Sequence, residues 1–318
     1  MPKISIVTPC YNEEGNISPL SQRVAAVFEK LPGYTYEHIF ADNASTDRTV
    51  AELKALAASD PRVKVIINMR NFGAERSIFN AILAARGDAV VVLAADMQDP
   101  PEMIADFISE WEQGVKIVFG IRAKRKESFF MTMLRKIYYR LLRAMSDTRL
   151  MVDAGDFVLF DRDVAKVLHQ IKDNVPYLRG ILSSLGFSIR GVPYKMEKRT
   201  HGQTSNNLYR LFVYAFNGFI SNTLTPLRLA TLIGLGMSGV SLLIAFVQMV
   251  WKLLYWDSAP PGIPTVIIGM FGLFGIQFFL IGYLGEIIGA IYVQNRGIPR
   301  VIEQERINFE VEDHGGQG

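Results

Sequence analysis

Three polar side chains of the kind that binds a divalent metal ion stand close together, directly after an apolar run. Asp96, Gln98 and Asp99 follow the apolar, valine-rich residues 89–93, and two prolines close the segment. Asp96 and Gln98 alternate around Met97, so an extended backbone would turn both side chains to one side. Carboxylate and amide oxygens are hard ligands of the kind that Mg²⁺ and Mn²⁺ prefer. The pattern indicates a metal site at a strand end, although a polar turn that merely ends the strand would also explain the prolines.

Apolar runs and helical patterns alternate along the first half of the chain. Strands are predicted at residues 4–8, 37–42, 63–68 and 89–93, and helices at 18–30, 48–58 and 75–85. Two further strands are predicted at residues 117–119 and 152–160. This alternation is typical of a parallel sheet with right-handed crossovers, so we expect a Rossmann-like α/β domain.

A polar side chain that could bind a nucleotide lies at the end of each of the first four predicted strands or in the segment that follows it. These side chains are Glu13, Asp42, Arg70 and Asp96. Carboxylates accept hydrogen bonds from base and ribose, and an arginine suits a diphosphate. Taken singly, each segment also fits an ordinary helix cap or turn, as does Asp156 at the start of a later strand. No phosphate-binding P-loop and no dinucleotide-binding glycine motif occurs.

Hydrophobic residues make up 49% of the chain and concentrate after about residue 227. Residues 229–251 include no charged side chain, and residues 265–293 are interrupted only by Glu286. Both runs are long enough to cross a bilayer, and the short proline-containing link between them predicts an antiparallel hairpin. Arginines flank both outer ends, which places the two termini in the cytoplasm by the positive-inside rule. Glycines in the second run favour close helix packing, within the hairpin or between copies of the chain in a homo-oligomer.

Two amphipathic stretches precede this hydrophobic region. Residues 129–145 combine apolar side chains at helical spacing with a basic face, and residues 208–219 are rich in aromatic side chains. Both fit the surface of an anionic membrane, which is the favoured interpretation, and the alternative for the first is a helix packed on the domain with its basic face in water. A net charge of +3 gives no case for a nucleic-acid partner. The single cysteine, Cys10, excludes a disulfide within the chain.

Six motifs in order along the chain resemble those of a known family. They are PCYNEE at residues 9–14, DNASTDRT at 42–49, RNFG at 70–73, GD at 87–88, DMQDPPE at 96–102 and GDF at 155–157. Together they resemble family 2 inverting glycosyltransferases of the GT-A fold. The most similar branch uses polyisoprenyl phosphates and includes dolichol-phosphate mannose synthase and bacterial bactoprenol glucosyltransferases. The resemblance implies transfer of a sugar from a nucleotide sugar, with UDP-glucose favoured over donors such as GDP-mannose, to a polyprenyl phosphate at the bacterial plasma membrane.

The resemblance also implies roles for individual residues. The nucleotide sugar would be bound by Pro9, Tyr11, Asn12, Glu13, Asp42, Arg70 and Asp96. Asp96 and Gln98 would bind Mg²⁺ or Mn²⁺, and Asp156 would be the catalytic carboxylate near the acceptor. The acceptor phosphate would be bound by Arg122, Arg125, Arg135, Lys136 and Arg199.

The chain departs from the family pattern at Ala94, where an acidic residue usually completes a D-x-D motif. Loss of that carboxylate would weaken the metal site, so a membrane-anchored nucleotide-sugar-binding or scaffold subunit without activity remains an alternative. A lysine often found three residues after Gly202 is missing too. A processive polysaccharide synthase would carry a Q-x-x-R-W motif, which does not occur.

We expect a catalytic domain at 1–205, with its basic helix at 128–146, then an interfacial helix at 206–227, two transmembrane helices within 228–294, and a cytoplasmic tail at 295–318.

Overall fold

The computed structural model describes residues 1–122, 154–174, 176–197, 262–295 and 299–309, with Leu243, Val247, Val250 and Leu254. The strands are β1 (Lys3–Cys10), β2 (Thr35–Asp42), β3 (Val63–Asn68), β4 (Ala89–Val92), β5 (Ile117–Arg122), β6 (Ala154–Asp161), β7 (Ile189–Tyr194) and β8 (Glu303–Ile307). The helices are α1 (Ile17–Glu29), α2 (Thr49–Ser59), α3 (Ala74–Ala84), α4 (Met103–Glu112), α5 (Arg162–Gln170), α6 (Leu178–Ser184) and α7 (Ile263–Asn295). The alternation predicted for the first half is confirmed, with bounds within a few residues.

The strands form one mixed sheet in the order β7-β5-β6-β4-β1-β2-β3-β8. Strands β4, β1, β2 and β3 are parallel neighbours, as predicted for a Rossmann-like domain. Strand β6 runs antiparallel between β4 and β5, whereas β7 is parallel to β5. Because β6 runs the opposite way to β4, its first residues lie beside the carboxyl end of β4.

The central strands are buried on both faces. All four residues of β4 are at most 1% exposed, which accounts for their continuous apolar sequence. One face packs against α1, α2 and α4 through residues such as Leu20, Leu53 and Phe107. The other packs against α3, α5 and α6 through residues such as Phe79 and Leu168. Each fully buried large apolar side chain stabilises the fold by about 1.5–3 kcal/mol. The packed sheet therefore fixes the positions of the residues at the ends of its strands.

Strand β8 lies in the segment that was expected to be a simple tail. It pairs antiparallel with β3 and joins the compact unit formed by residues 1–140, 148–211 and 298–318. Asn80 of α3 donates to Glu303 Oε1 at 2.6 Å, and Lys54 of α2 forms an ion pair with Glu305 at 2.6 Å. The charged side chains of β8 hid its strand character, because edge strands carry charges that interrupt an apolar pattern.

The second compact unit comprises residues 141–147 and 212–297, and helix α7 is its described element. Helix α7 has 33 residues and includes the second predicted hydrophobic span. No helix among the described residues is long and apolar enough to cross a membrane. The first predicted span, apart from three single positions, and both amphipathic stretches lie outside the described residues.

Candidate active site

The polar segments that follow β1 to β4 meet at one edge of the sheet, because these four strands run parallel. The register pairs Cys10 with Asp42 and Asp42 with Ile67, so β1, β2 and β3 end at the same level. Directly after β4, Leu93 donates its backbone N–H to the Val7 carbonyl at 2.9 Å. The edge therefore collects Pro9 and Asp42, which lie at the ends of β1 and β2, together with the candidates in the segments that follow the strands, namely Tyr11, Asn12, Glu13, Arg70, Asp96 and Gln98.

The segments after β1 and β2 are joined by hydrogen bonds in both directions. The Asn12 backbone N–H donates to Ser45 Oγ at 2.9 Å, and Asn12 Oδ1 accepts from the Thr46 N–H at 2.8 Å. The Glu13 N–H donates to Thr49 Oγ1 at 2.9 Å. Asn12 adopts a φ of 56°, in the left-handed region that asparagine tolerates better than most residues. The two segments thus form one unit with a defined spacing.

Asp42 lies beneath this unit with no exposed surface of its own. Its Oδ1 accepts from the Ser45 N–H at 3.0 Å, and its Oδ2 accepts from the Ser45 hydroxyl. Burial raises the pKa of Asp42 above its ordinary value, and the two hydrogen bonds from Ser45 oppose that rise. Tyr11, in contrast, is 45% exposed and offers an aromatic face at the surface. A ligand can contact Tyr11 directly, whereas the Asp42 carboxylate is fully buried and already accepts two hydrogen bonds from Ser45.

A network of asparagine side chains fixes the segment after β3. Asn43 Oδ1 accepts from Asn68 Nδ2 at 3.1 Å and from the Phe72 N–H at 3.0 Å. Asn43 Nδ2 donates to Asn71 Oδ1 at 2.9 Å. The exposed Arg70 stacks its guanidinium on the Phe72 ring, 4.1 Å from the centroid. The network holds the backbone in place and leaves the Arg70 charge near solvent, where it can meet an anion.

The segment after β4 is a turn, so the predicted extended geometry around Met97 is wrong. Met97 has a φ of 60°, and Asp96 Oδ1 accepts from the Gln98 backbone N–H at 3.2 Å. The Met97 side chain is buried in the core. Asp96 and Gln98 are both half-buried, as is Ala94. The turn keeps Asp96 and Gln98 near each other by a local hydrogen bond rather than by strand alternation.

These residues fit only part of a divalent-metal site. One carboxylate and one amide oxygen are suitable donors, but Mg²⁺ takes six oxygen ligands. In the described parts of the chain, no three His, Cys, Asp or Glu side chains form a group that could hold a metal. Asp99 is only 1% exposed and is bonded to Tyr194, so it does not serve as a third donor. Any metal here would draw its remaining ligands from a bound diphosphate and water.

Asp156 stands at the start of β6 and forms an ion pair with an arginine that the sequence did not single out. Arg179 of α6 donates from Nη2 to Asp156 Oδ1 at 2.7 Å. Glu75, in the first turn of α3, belongs to the same group of charges. Burial raises the pKa of Glu75 to about 7, and the nearby Asp156 charge adds to the rise while Arg179 opposes it. Arg179 thus pairs directly with Asp156, and its charge also acts on Glu75.

Arg122, the last residue of β5, is linked to the Asp96 turn through Tyr194. Its Nε donates to Tyr194 Oη at 3.3 Å, and Tyr194 Oη donates to Asp99 Oδ1. Burial raises the pKa of Asp99, while the Tyr194 hydrogen bond and the Arg122 charge act in the opposite direction. Arg122, the one acceptor-phosphate candidate among the described residues, is therefore connected to the segment that carries the metal-binding candidates Asp96 and Gln98. The other four, Arg125, Arg135, Lys136 and Arg199, lie outside the described residues.

Sequence reasoning missed Glu75, Arg179 and Tyr194 as members of the site. Glu75 looked like an ordinary acidic residue in a first helical turn. Arg179 and Tyr194 belong to α6 and β7, two elements that showed no sequence signal of their own. The GDF motif indicated only that Asp156, at the start of a strand, could face the site.

The geometry and the sequence comparison agree on the class of protein. Residues 5–168 match glycosyl transferase family 2, which is more than half of the chain. The chain belongs to this family, and the protein is a glycosyltransferase with an α/β, Rossmann-like GT-A fold built on a mixed sheet.

Relatives match over nearly the whole chain. An uncharacterized glycosyltransferase of Bacillus subtilis strain 168, YkcC, is 36% identical over 96% of this chain and 94% of its own length. A prophage bactoprenol glucosyl transferase homolog of Escherichia coli K12 is 34% identical over 94% of this chain and 98% of its own length. Among solved structures, glucosyl-3-phosphoglycerate synthase from Mycobacterium tuberculosis with Mn²⁺ and UDP-glucose covers 73% of this chain and 78% of its own, at 19% identity and a TM-score of 0.45.

Proposed function

We propose that the protein is a membrane-bound, inverting and metal-dependent glycosyltransferase that moves glucose from UDP-glucose to a polyprenyl phosphate such as undecaprenyl phosphate. The observation that carries the proposal is the single sheet edge that combines the Asn12–Ser45 unit, the Asp96–Gln98 turn and the Asp156–Arg179 pair. Relatives named bactoprenol glucosyl transferase, one of them 32% identical over 96% of this chain, support the lipid acceptor.

The donor would lie over the segments that follow β1, β2 and β3. Tyr11 offers a face for the base, and Arg70 offers a cation for the diphosphate. Rotation of the Ser45 hydroxyl away from Asp42 would free that carboxylate for the base or ribose. Pro9, Asn12 and Glu13 would contribute through the backbone geometry that they set.

Asp96 and Gln98 would hold a divalent cation, Mg²⁺ or Mn²⁺, against the donor diphosphate. Such an ion neutralises the charge that develops on the leaving group. The diphosphate itself would provide ligands in place of the carboxylate that Ala94 lacks, so the metal site would be complete only with donor bound.

In the transfer step, an oxygen of the acceptor phosphate attacks the anomeric carbon, the carbon–oxygen bond to the diphosphate breaks, and UDP leaves. A phosphate monoester has its second pKa near ~6 and is largely ionised at neutral pH, so it needs little help from a general base. Asp156 would therefore orient the nucleophile and stabilise positive charge at the sugar, with Arg179 fixing its carboxylate. Arg122, with Arg125, Arg135, Lys136 and Arg199, would bind the acceptor phosphate.

The acceptor explains why a membrane-attached form is expected. Its phosphate lies at the headgroup level, where the stretches 129–145 and 208–219 would rest. The hydrophobic runs 229–251 and 265–293 would form a two-helix transmembrane hairpin with both termini in the cytoplasm, and copies of it would associate as a homo-oligomer. Helix α7 covers the second run.

The second candidate function is a nucleotide-sugar-binding or scaffold subunit without activity, and Ala94 is the observation that favours it. Purified full-length protein with undecaprenyl phosphate, Mg²⁺ and radiolabelled UDP-glucose, then GDP-mannose, distinguishes the two. We expect lipid-extractable label with UDP-glucose, and we expect Ala94→Asp to lower the Mg²⁺ concentration that gives half-maximal rate by about tenfold. No labelled lipid from either form with any donor would reject the enzyme in favour of the scaffold.

A further inference from the structure

The hydroxyl of Tyr194 bridges two charged side chains from separate parts of the site edge. It donates to Asp99 Oδ1 and accepts from Arg122 Nε at 3.3 Å. Tyr194 ends β7, Arg122 ends β5, and Asp99 follows the Asp96 turn. We propose that Tyr194 is a positioning residue that holds the Arg122 guanidinium ready for the phosphate monoester of the acceptor, an inference that rests on the proposed function.

Of the three side chains, Asp99 and Tyr194 are buried, whereas Arg122 is partly exposed to solvent. Asp99 and Tyr194 are 1% and 4% exposed, so their hydrogen bond is shielded from water. The Arg122 side chain is 39% exposed. A guanidinium carries five N–H donors, and the Tyr194 hydroxyl engages the one on Nε. The contact thus orients Arg122 through its inner nitrogen while its outer part keeps surface for an anion.

The spacing of the charges points the same way. Arg122 Nη2 lies 3.9 Å from Asp99 Oδ1, beyond hydrogen-bond distance. An arginine whose role was to neutralise a buried aspartate would form a direct, two-pronged contact with it. Here the tyrosine hydroxyl stands between the two charges. The charge of Arg122 is therefore only partly compensated, which suits capture of a doubly charged phosphate.

Two glycines make room for this arrangement. A Cβ at Gly120 would lie 2.8 Å from Tyr194 Cε1, a contact that the tyrosine ring could not accept in place. A Cβ at Gly155 would lie 3.2 Å from Arg122 Nε. The guanidinium therefore rests on the backbone next to Asp156. A phosphate bound to Arg122 would lie beside the carboxylate proposed to orient the nucleophile.

The test replaces Tyr194 with phenylalanine in the full-length protein, which keeps the ring against Phe157 and removes only the hydroxyl. Tyr34→Phe is the matched control, because it removes a tyrosine–carboxylate bond to Glu112 at a site outside the proposed machinery. With UDP-glucose and undecaprenyl phosphate, we expect Tyr194→Phe to raise the KM for the lipid about tenfold and to change the KM for the donor less than about twofold. Gly120→Ala should reproduce this split.

A binding measurement makes the outcome independent of turnover. Farnesyl phosphate in detergent should bind Tyr194→Phe about tenfold more weakly than Tyr34→Phe, with UDP affinity equal in both. The inference is overturned if the two variants bind farnesyl phosphate with equal affinity, or if Tyr194→Phe loses affinity for lipid and donor equally. It is also overturned if the wild-type protein binds UDP but no farnesyl phosphate. Wild-type protein that binds farnesyl phosphate but glycosylates no lipid overturns the proposed function, while the comparison of variants still decides the role of Tyr194.

Discussion

Arg179→Gln should separate catalysis from stability. The Arg179–Asp156 pair has a distance of 2.7 Å, but the Asp156 side chain is 58% exposed and the Arg179 side chain 26% exposed. Ion pairs at this level of exposure contribute about 0–1 kcal/mol to folding, because water screens them. If Arg179 fixes the carboxylate that orients the nucleophile, its loss should cost far more in the transition state. We expect kcat/KM to fall about 100-fold, which corresponds to ~2.7 kcal/mol, with a free energy of unfolding within about 1 kcal/mol of wild type.

The assay compares initial rates with UDP-glucose and undecaprenyl phosphate against thermal unfolding of the same preparations. Arg190→Gln is the matched control, since Arg190 of β7 forms an ion pair near the surface with Glu110 of α4, away from Asp156. Arg179→Lys keeps the charge but loses the planar fork, so its rate should fall between those of wild type and Arg179→Gln. The reasoning is refuted if Arg179→Gln loses no more activity than Arg190→Gln, or if its rate falls only in step with its stability.

Three further predictions concern the same edge. The pKa of Glu75, which faces Asp156 and Arg179, is raised from 4.5 to about 7, so folding favours its protonated form and stability falls as pH rises through this window. Glu75→Gln should therefore gain stability relative to wild type between pH 5 and pH 8, by up to about 3 kcal/mol, and a pH-independent difference in Tm would contradict this. Asn43→Ala removes the acceptor for the Phe72 N–H at 3.0 Å. We expect it to lower the free energy of unfolding in urea by about 2–4 kcal/mol and to weaken UDP binding. A stable variant with unchanged UDP affinity would count against a role for the asparagine network. Arg122→Ala should raise the KM for undecaprenyl phosphate about tenfold or more with little change in UDP affinity, and equal losses of both would remove Arg122 from the acceptor site.

The order of strands β1 to β4 could be predicted because burial on both faces leaves a simple mark. Residues 89–93 are continuously apolar, and β4 is fully buried between two helical layers. The same alternation placed Asp42 and Asp96 at one edge, since parallel strands all end on the same side. For these elements local sequence and tertiary packing agree, which is why short patterns were sufficient.

The parts that could not be predicted depend on contacts between distant segments. Strands β7 and β8 lie at the two edges of the sheet; β8 is mostly charged, and Arg190, Gly191 and Pro193 interrupt the apolar residues of β7, so no apolar pattern marks either strand. At Met97 the positive φ and the burial of the side chain are features that alternation alone does not reveal. Arg179 meets Asp156 only because α6 packs on the core through Leu178 and Leu182. Ion pairs of this kind are fixed by packing geometry and leave no local trace.

The pairing of β8 with β3 also makes the compact unit that holds the sheet discontinuous in sequence. Among the described residues, the strand that follows β7 along the chain is β8, which begins at Glu303, beyond helix α7. A recombinant fragment that stopped after the family match at residue 168, or even at the end of β7, would leave β3 as an open edge, with its backbone N–H and C=O groups ready to pair with another molecule. Residues 303–309 should therefore be kept in any soluble version, joined to residue 197 by a designed linker, and a tag belongs beyond them.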